Sequence, residues 1–572
     1  MLKIEIHIDY NININYYILL SIMCGIFACF NTKHDIQLIR HYFNKIQHRG
    51  PDMSKLEIIN EQKGHIMGFH RLAIVNTSEE GMQPFSNNGV YLVCNGEIFN
   101  HKEIEQEINK CKPDKTFGSD CECILDLVSD CFNKYRIVED ICNKLDAEFV
   151  FIAYDTTTNT VIVARDPQGV RPLFYGTDKN GGIYFASEAK AIDFVDIVKP
   201  FPPSVVAIVD LNSDNVNNIF SFYNYTKLLS HGQYIDLAKE PIQSAIRGYF
   251  IEAVKKRTMS DRVVGCLLSG GLDSSLVASV LVKFLPEVHF FSIGLRDSVD
   301  VIAAKRVTEY LKVPKEQHHI VEFLPEEGLA ILEEVIQQLE TYDITTIRAS
   351  VPQYLLAKYI SNKTNVVVIY SGEGSDELMA GYAYFKSAPT SSELQTETEY
   401  LLDNLYMYDN LRTDRTTACW GLEVRVPFLD KDFVKFVHNI DPKYKMSNTT
   451  DCIEKSLLRD AFKGWLPDEI LYRPKEAFSD AVSSKEVSWY KSLQDLIQSQ
   501  MEGVNLEQEQ TKYEFNPPIS IEALYYRRIF NKYYPNRDHL INRYWMPKWQ
   551  TSDLKDPSAT ALKTYTGDLV TK

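Results

Sequence analysis

The chain runs to 572 residues, more than one hydrophobic core ordinarily organises, which predicts two large domains. Its 45% hydrophobic and 24% charged residues are the balance of a folded soluble protein, and no stretch approaches the ~20 apolar residues of a membrane span, so no membrane partner is expected. A net charge of -16 and a pI near 5.4 argue against a broad nucleic-acid surface, so any phosphate must be held by a local site.

Residues 1–23, MLKIEIHIDYNININYYILLSIM, contain a short apolar run from Tyr16 to Met23, but Glu5 and Asp9 stand where a signal peptide is basic. They are expected to be a leader absent from the working protein. Eleven cysteines, eight of them between Cys24 and Cys142, form no CxxC pair and meet no zinc-type histidine tract, which predicts reduced thiols and a cytoplasmic protein.

From Cys24 to residue 213 short apolar runs alternate with turns, as in GHIMGFHRLAIV, GVYLVCNGEI and EFVFIAYDTTTNTVIVARD, and predict a strand-rich first domain. At its head, MCGIFACF places Cys24 directly after a methionine. A chain beginning at Cys24 would carry a free α-amine of pKa about 7.7 to 8.0, which is a suitable base for that thiol. Downstream, HRGPD (48–52), HRLAIV (70–75), NGEIFN (95–100) and GSDCE (118–122) supply groups that suit an amino-acid amide. Arg71 can pair with an α-carboxylate and Asp120 with an α-ammonium, while Asn95 and the Gly96 N–H can stabilise a tetrahedral oxyanion. The chemistry these residues suit is amide hydrolysis through a thioester.

Residues 214–240 are polar and lack hydrophobic periodicity, which marks a linker. From 241 to 548 strands alternate with helices, so a parallel sheet with covering helices is expected, followed by a tail at 549–572. Between the strand RVVGCLLS and the helix LDSSLVASVLVKFL lies LLSGGLDSS (267–275). Gly270 and Gly271 let backbone approach a phosphate, Ser269, Ser274 and Ser275 add hydroxyl donors, and Asp273 can hold magnesium at the helix start. The loop lacks the lysine of a Walker sequence and resembles the SGGLDS loop of ATP pyrophosphatases, which cleave between the α and β phosphates. A second loop, SGEGSDE (371–377), follows another apolar strand and is expected at the same carboxyl edge. Glu373 can orient or deprotonate an attacking amine, and Asp376 can share the metal with Asp273.

With MCGIF, HRGPD, RLAIV, NGEIFNH, ARDPQGVRPLFYG, LLSGGLDSS, FSIGL, TYDITTIRAS, SGEGSDEL, GLEVRVPFLDKDF, RPKEAFSD and YWMPKW in order, the chain resembles glutamine-hydrolysing asparagine synthetases of the eukaryotic kind from about Met23 to Thr566. The resemblance implies a two-domain protein of α/β and α+β class. Its N-terminal domain would be an αββα sandwich of the Ntn-hydrolase type, and its C-terminal domain a doubly wound parallel sheet of the ATP-pyrophosphatase type. It implies Cys24 as nucleophile, Asn95 and Gly96 as oxyanion hole, and Arg71, Leu72, Ala73, Ile74, Val75, Glu97 and Asp120 around glutamine. In the second half it implies Leu268, the loop Ser269, Gly270, Gly271, Leu272, Asp273, Ser274 and Ser275, and Ile293, Ser371 and Gly372 as ATP contacts. Glu373 and Lys475 then serve the aspartyl-adenylate step, Arg348 the aspartate, and Asp273 with Asp376 a magnesium ion. ATP and aspartate would give β-aspartyl-AMP and diphosphate, and ammonia from glutamine would complete asparagine, in a homodimer.

Two departures stand out. With residues 1–23 attached, the Cys24 nitrogen is an amide and cannot act as a base. Ala147 in LDAEF stands where the family commonly has glycine, with little consequence expected. One rival is a β-lactam synthetase, against which the MCGIF cysteine argues. The other is a non-catalytic protein of the same fold, against which the intact acidic and phosphate-loop residues argue.

Overall fold

A computed structural model describes residues 24–558 apart from 112–114, 133–136, 214–219, 225–233, 236, 448–452, 485 and 550–554. The expected leader, most of the expected linker and most of the expected tail lie outside the described residues.

The first domain is built on two six-stranded sheets. One has the order β10 (Ile197–Pro200), β8 (Phe174–Thr177), β9 (Ile183–Ala186), β1 (Gly25–Phe30), β3 (His65–Arg71), β2 (Met53–Asn60). The other runs β12 (Phe220–Asn224), β11 (Val205–Asp210), β7 (Thr160–Arg165), β6 (Ala147–Asp155), β5 (Val90–Ile98), β4 (Phe85–Asn87). Alternation along β1 explains the layering. Ile26, Ala28 and Phe30 meet Val93, Val150 and Ile152 of the other sheet, whereas Phe27 and Cys29 turn to Ile39 and Phe43 of helix α1 (Ile36–Asn44). The outer face of the second sheet, with Leu92, Cys94, Phe149 and Phe151, packs on α2 (His101–Cys111), α3 (Cys123–Phe132) and α4 (Val138–Lys144). This is the expected αββα sandwich. Ala147 simply opens β6 and needs no glycine geometry. The expected linker is shorter than its sequence indicates, because 220–224 pairs with 205–209 as an edge strand. A five-residue strand exposed at an edge carries little apolar periodicity to read.

His70 shows how tightly this half is packed. It is fully buried, stacks on Phe43 with ring centroids 3.8 Å apart, and bonds Ser54 Oγ through Nδ1 and the Phe43 carbonyl through Nε2. Burial lowers its pKa to about 4, below the ~6.5 of a free imidazole. The unfolded chain therefore takes up this proton first as pH falls. Stability should drop by about 3 kcal/mol between pH ~6.5 and ~4 by linkage. A His70→Gln variant should lose less over that window in urea unfolding, and an unchanged pH slope would contradict the assignment.

The second domain begins with α5 (Lys239–Lys256) and contains a five-stranded sheet in the order β15 (His318–Glu322), β14 (His289–Gly294), β13 (Val263–Leu267), β16 (Val366–Tyr370), β17 (Glu423–Arg425), parallel throughout. Its central strands VVGCL, HFFSIG and VVVIY are apolar without alternation because helices cover both faces. Leu276, Val277 and Val280 of α6 (Leu272–Leu281) and Phe250 of α5 lie on one side, and Ile347 and Val351 of the helix Ile344–Lys363 on the other. The chain leaves β13 towards β14 and β15, then returns to add β16 and β17 on the other side. The strand order therefore reverses between β13 and β16, and their carboxyl ends flank the crevice where such sheets bind ligands.

The domains meet through buried ion pairs as well as apolar contacts. Arg49 bonds both Glu188 of its own domain at 2.7 Å and Asp414 of the other at 2.8 Å. Arg257 bonds Glu148 at 2.8 Å and Asp430 at 2.7 Å, and Arg415 reaches Glu188 and Glu340, each at 3.1 Å. No helix among the described residues is long and apolar enough to cross a membrane. Among the described residues the cysteines are free thiols.

Candidate active sites in the two domains

Strand pairing assembles the first site. Gly25 of β1 lies opposite His70 of β3, so Cys24 arrives beside the segment that leaves β3. The Leu72 N–H donates to Cys24 Sγ at 3.3 Å, and the Arg49 Nε–H donates to the Cys24 carbonyl at 3.2 Å. Burial raises the thiol's pKa well above the ordinary range, opposed by the Leu72 hydrogen bond and reinforced by the charges of Glu423 and Glu97. At rest the sulfur is a neutral thiol and requires a base to become a nucleophile.

Arg71 is held by the carbonyls of Asn76 and Ser78, and its field reaches Cys24, Asp52 and Asp120. Asp120 accepts from the Ile98 N–H at 2.8 Å and from the Ser119 hydroxyl at 3.0 Å, while its burial raises its pKa. Asn95, Gly96 and Glu97 are consecutive on β5. Among the described residues the Asn95 side-chain amide nitrogen, itself buried, has no hydrogen-bond partner, an unspent donor of the kind an oxyanion needs. Leu72, Ala73 and Ile74 are buried and Val75 is half-buried. The Ala73 N–H is fixed by Asp52 at 3.0 Å, a role the HRGPD motif did not disclose. Glu97 reaches across the domain boundary to Arg425 of β17 at 3.1 Å, and burial, then Glu423 and Asp120, raise its pKa.

The second site occupies the crevice at the switch point. The loop 268–275 leaves β13 and enters α6, with the Ser269 N–H donating to Ser274 Oγ at 3.2 Å and the Gly271 N–H to Ser269 Oγ at 3.2 Å. Gly270 has φ +74°, and a Cβ there would stand 2.4 Å from the Ala304 nitrogen of α7 (Val299–Tyr310), so only glycine fits. One cavity is lined by Leu268, Ser269, Gly271, Leu272, Asp273 and Ser274, and across from them by Ile293, Arg348, Ser371, Gly372, Glu373, Asp376 and Lys475. The structure thus brings together nearly all the residues predicted for this half. Ser275 is fully buried, and its N–H bonds the Gly271 carbonyl at 3.1 Å in the first turn of α6. Gly270 supplies the turn behind the cavity.

The two acidic loops are cross-linked. The Ser375 hydroxyl donates to Asp273 Oδ1 at 2.7 Å. Lys455 places its ammonium between Asp273 at 2.7 Å and Asp376 at 2.5 Å, and Lys475 bonds Asp376 at 2.6 Å. Burial alone would raise the Asp376 pKa, but Lys455 and Lys475 outweigh it and bring it down to about 2. Lys455 reaches this point because its own φ is +56° and because Gly381 leaves room. A Cβ on Gly381 would be 2.0 Å from Lys455 Cε. Sequence reasoning missed Lys455, since DCIEKSLL carries no motif. It also missed Arg412, whose Nη2 bonds Glu373 at 2.8 Å and Asp409 at 2.7 Å. Burial raises the Glu373 pKa, with Arg412 opposing. Arg348 lies at the cavity wall with its guanidinium held by Glu522 at 2.6 Å and Asp556 at 2.9 Å.

A buried thiol and an unspent amide donor in one domain and a glycine-rich anion loop facing two carboxylates in the other correspond to two domain families. A glutamine amidotransferase domain matches residues 23–249, and an asparagine synthase domain matches 245–398 and 386–555. Over 568 residues the chain is 45% identical to a probable asparagine synthetase (glutamine-hydrolyzing) of Acanthamoeba polyphaga mimivirus, covering 94% of this chain and 100% of that one. The chain belongs to the glutamine-hydrolysing asparagine synthetase family. Members from Gallus gallus, at 42% identity, and Homo sapiens, at 41%, each cover 95% of this chain and 99% of their own. The two matched stretches cover the sandwich and the parallel sheet described above.

Proposed function

We propose that the chain makes asparagine from aspartate, ATP and glutamine, with AMP, diphosphate and glutamate as the other products, in the cytoplasm and as a homodimer. The observation that carries this reading is the single crevice into which Ser269, Gly271, Asp273, Ser274, Glu373, Asp376 and Lys475 all converge. The family match over nearly the whole chain supports it.

In the first domain Arg71 and Asp120 orient the α-carboxylate and α-ammonium of glutamine, with Leu72 to Val75 and Glu97 completing the pocket. The Cys24 thiol, neutral at rest, gives its proton to its own α-amine and attacks the amide carbon, which requires Cys24 to be the first residue of the working chain. Asn95 Nδ2 and the Gly96 N–H hold the oxyanion. Ammonia leaves, and water returns the thioester to glutamate and free thiol.

In the second domain the loop N–H groups from Ser269 to Ser274 and the Ser269 and Ser274 hydroxyls cradle phosphate at the start of α6, while Leu268, Ile293, Ser371 and Gly372 border the nucleotide. Arg348 bounds the aspartate end. The substrate β-carboxylate displaces diphosphate from the α-phosphorus, and Lys455 and Lys475 hold positive charge where the leaving group forms. Two buried carboxylates at the mouth of a phosphate loop are the hard oxygen donors magnesium takes alongside phosphates. Asp273 and Asp376 would hold it, exchanging lysine contacts for the ion. When bound, it neutralises phosphate charge. Glu373 accepts a proton from the attacking ammonia.

The test is a product balance with aspartate, ATP, magnesium and either glutamine or ammonium. One AMP and one diphosphate per asparagine are expected from both donors, with glutamate only from glutamine. ADP in place of AMP, or no asparagine from either donor, would overturn the reading. Intact mass of the active protein should begin at Cys24, and an active protein that retains Met1 would contradict the amine base.

A further inference from the structure

Residues 555–558 fall in the stretch that the sequence marks as a tail, yet they reach the synthetase crevice, where Pro557 and Ser558 line its wall. The Asp556 carboxylate accepts from Arg348 Nη1 at 2.9 Å and Nη2 at 3.0 Å, and from Gln494 Nε2 at 2.8 Å. The Ser558 N–H caps the same carboxylate at 2.8 Å, and the Ser558 hydroxyl donates to Asp480 at 2.9 Å. Pro557 and Ser558 are buried and line the cavity. The segment thereby ties together three separate elements, the helices Ile344–Lys363, Trp489–Gln500 and Phe478–Ala481. The last of these directly follows the loop that carries Lys475.

We propose that residues 555–558 are part of the synthetase site: Asp556 is a positioning residue that fixes the Arg348 guanidinium, and Pro557 with Ser558 walls the aspartate end of the crevice against water. The proposal rests on the functional reading above. Two observations favour this over an incidental contact. Arg348 is buried and already bidentate to Glu522 through Nε and Nη2, so a second bidentate carboxylate on Nη1 and Nη2 fixes the plane of the guanidinium and the direction of the one Nη1–H left over. In addition, the Ser558–Asp480 bond is itself buried, and burial holds Asp480 up at about 6, so the hydroxyl gives a donor to one oxygen of a carboxyl that burial leaves short of them.

The chemistry gives the wall a purpose. An aspartyl-adenylate is a mixed anhydride. Water adding to its acyl carbon breaks the bond from that carbon to the phosphate oxygen, returning aspartate and releasing AMP with no asparagine formed. A wall that keeps water from the intermediate therefore appears in the product ratio, which general loss of folding does not change.

The experiment compares wild type, Asp556→Ala, Asp556→Asn and Ser558→Ala in ammonium-driven synthesis, with AMP and asparagine measured together and glutaminase turnover as the folding control. Wild type should give one AMP per asparagine. Asp556→Ala should raise the aspartate KM about tenfold, the scale of a lost positioning contact. Asp556→Ala and Ser558→Ala should form roughly threefold more AMP than asparagine as the intermediate leaks to water. Asp556→Asn, which keeps the hydrogen-bond geometry without the charge, should fall between. A ratio of one with an unchanged aspartate KM in both Asp556→Ala and Ser558→Ala overturns the proposal. If Asp556→Ala also loses glutaminase turnover, Ser558→Ala, which removes one hydroxyl, decides by the same ratio. A wild type that makes no asparagine from ammonium overturns the functional reading and this proposal together.

Discussion

Replacing Cys24 with alanine is expected to lower glutamine-driven asparagine formation by about 10³-fold or more, the scale of removing a covalent nucleophile, while ammonium-driven formation stays within about twofold. The sulfur's described hydrogen bonds are with the Leu72 backbone, and its removal leaves β1 paired to β3 and β9. The synthetase crevice uses no atom of this side chain. Both donors must be run on one preparation. Parallel loss with glutamine and ammonium would mean that Cys24 acts through the fold, and would remove the thioester from the mechanism.

Glu373→Gln should have the complementary effect. Glutaminase turnover should persist, releasing glutamate without asparagine, while synthesis from either donor falls about 10² to 10⁴-fold, the range for a removed general base. The glutamine side chain preserves volume, and Asp409 still holds Arg412, so the cavity wall should survive. The pH profile adds a second readout. Burial raises the Glu373 pKa above the ordinary carboxylate value, and only its ionised form can accept a proton. With rates expressed per unprotonated ammonia, activity should therefore fall on the acid side at a pH above the usual carboxylate range. A profile that keeps this limb in Glu373→Gln would assign it to another group.

Local strings carry most of this architecture. GIFACF, VVGCL and VVVIY announce strands with both faces covered, and SGGLDSS between a strand and a helix announces an anion loop because two glycines and three hydroxyls leave few other uses. SGEGSDE becomes informative once the sheet is known to be parallel, since parallel strands put both loops at one edge. What stays hidden is what depends on distant pairing. Lys455 lies 182 positions from Asp273, its partner, and no pattern in its neighbourhood marks it. Arg412 reads as one charge on a polar helix until Glu373 is seen beside it. Arg348 is legible as a residue of the aspartate end, but not its restraint by Glu522 and Asp556, 174 and 208 positions away. The strand 220–224 is missed for a different reason: an exposed edge leaves little hydrophobic pattern to find.

The charged seam between the domains bears on how the molecule is made. Arg49 leaves the ribosome 365 positions before Asp414. At ~5–20 residues per second the sandwich waits roughly 20 to 70 seconds for that partner. During that interval Arg49, Glu148 and Glu188 can remain hydrated, so the unfinished half presents a wet face instead of an adhesive one and is protected from premature association. Closing the seam later strips that water, and an incorrect register would strand a desolvated charge. Docking thus favours a correctly folded second half over a mispaired one. A mispaired or truncated second half stays undocked, its charges in solvent, where chaperones and proteases can find it.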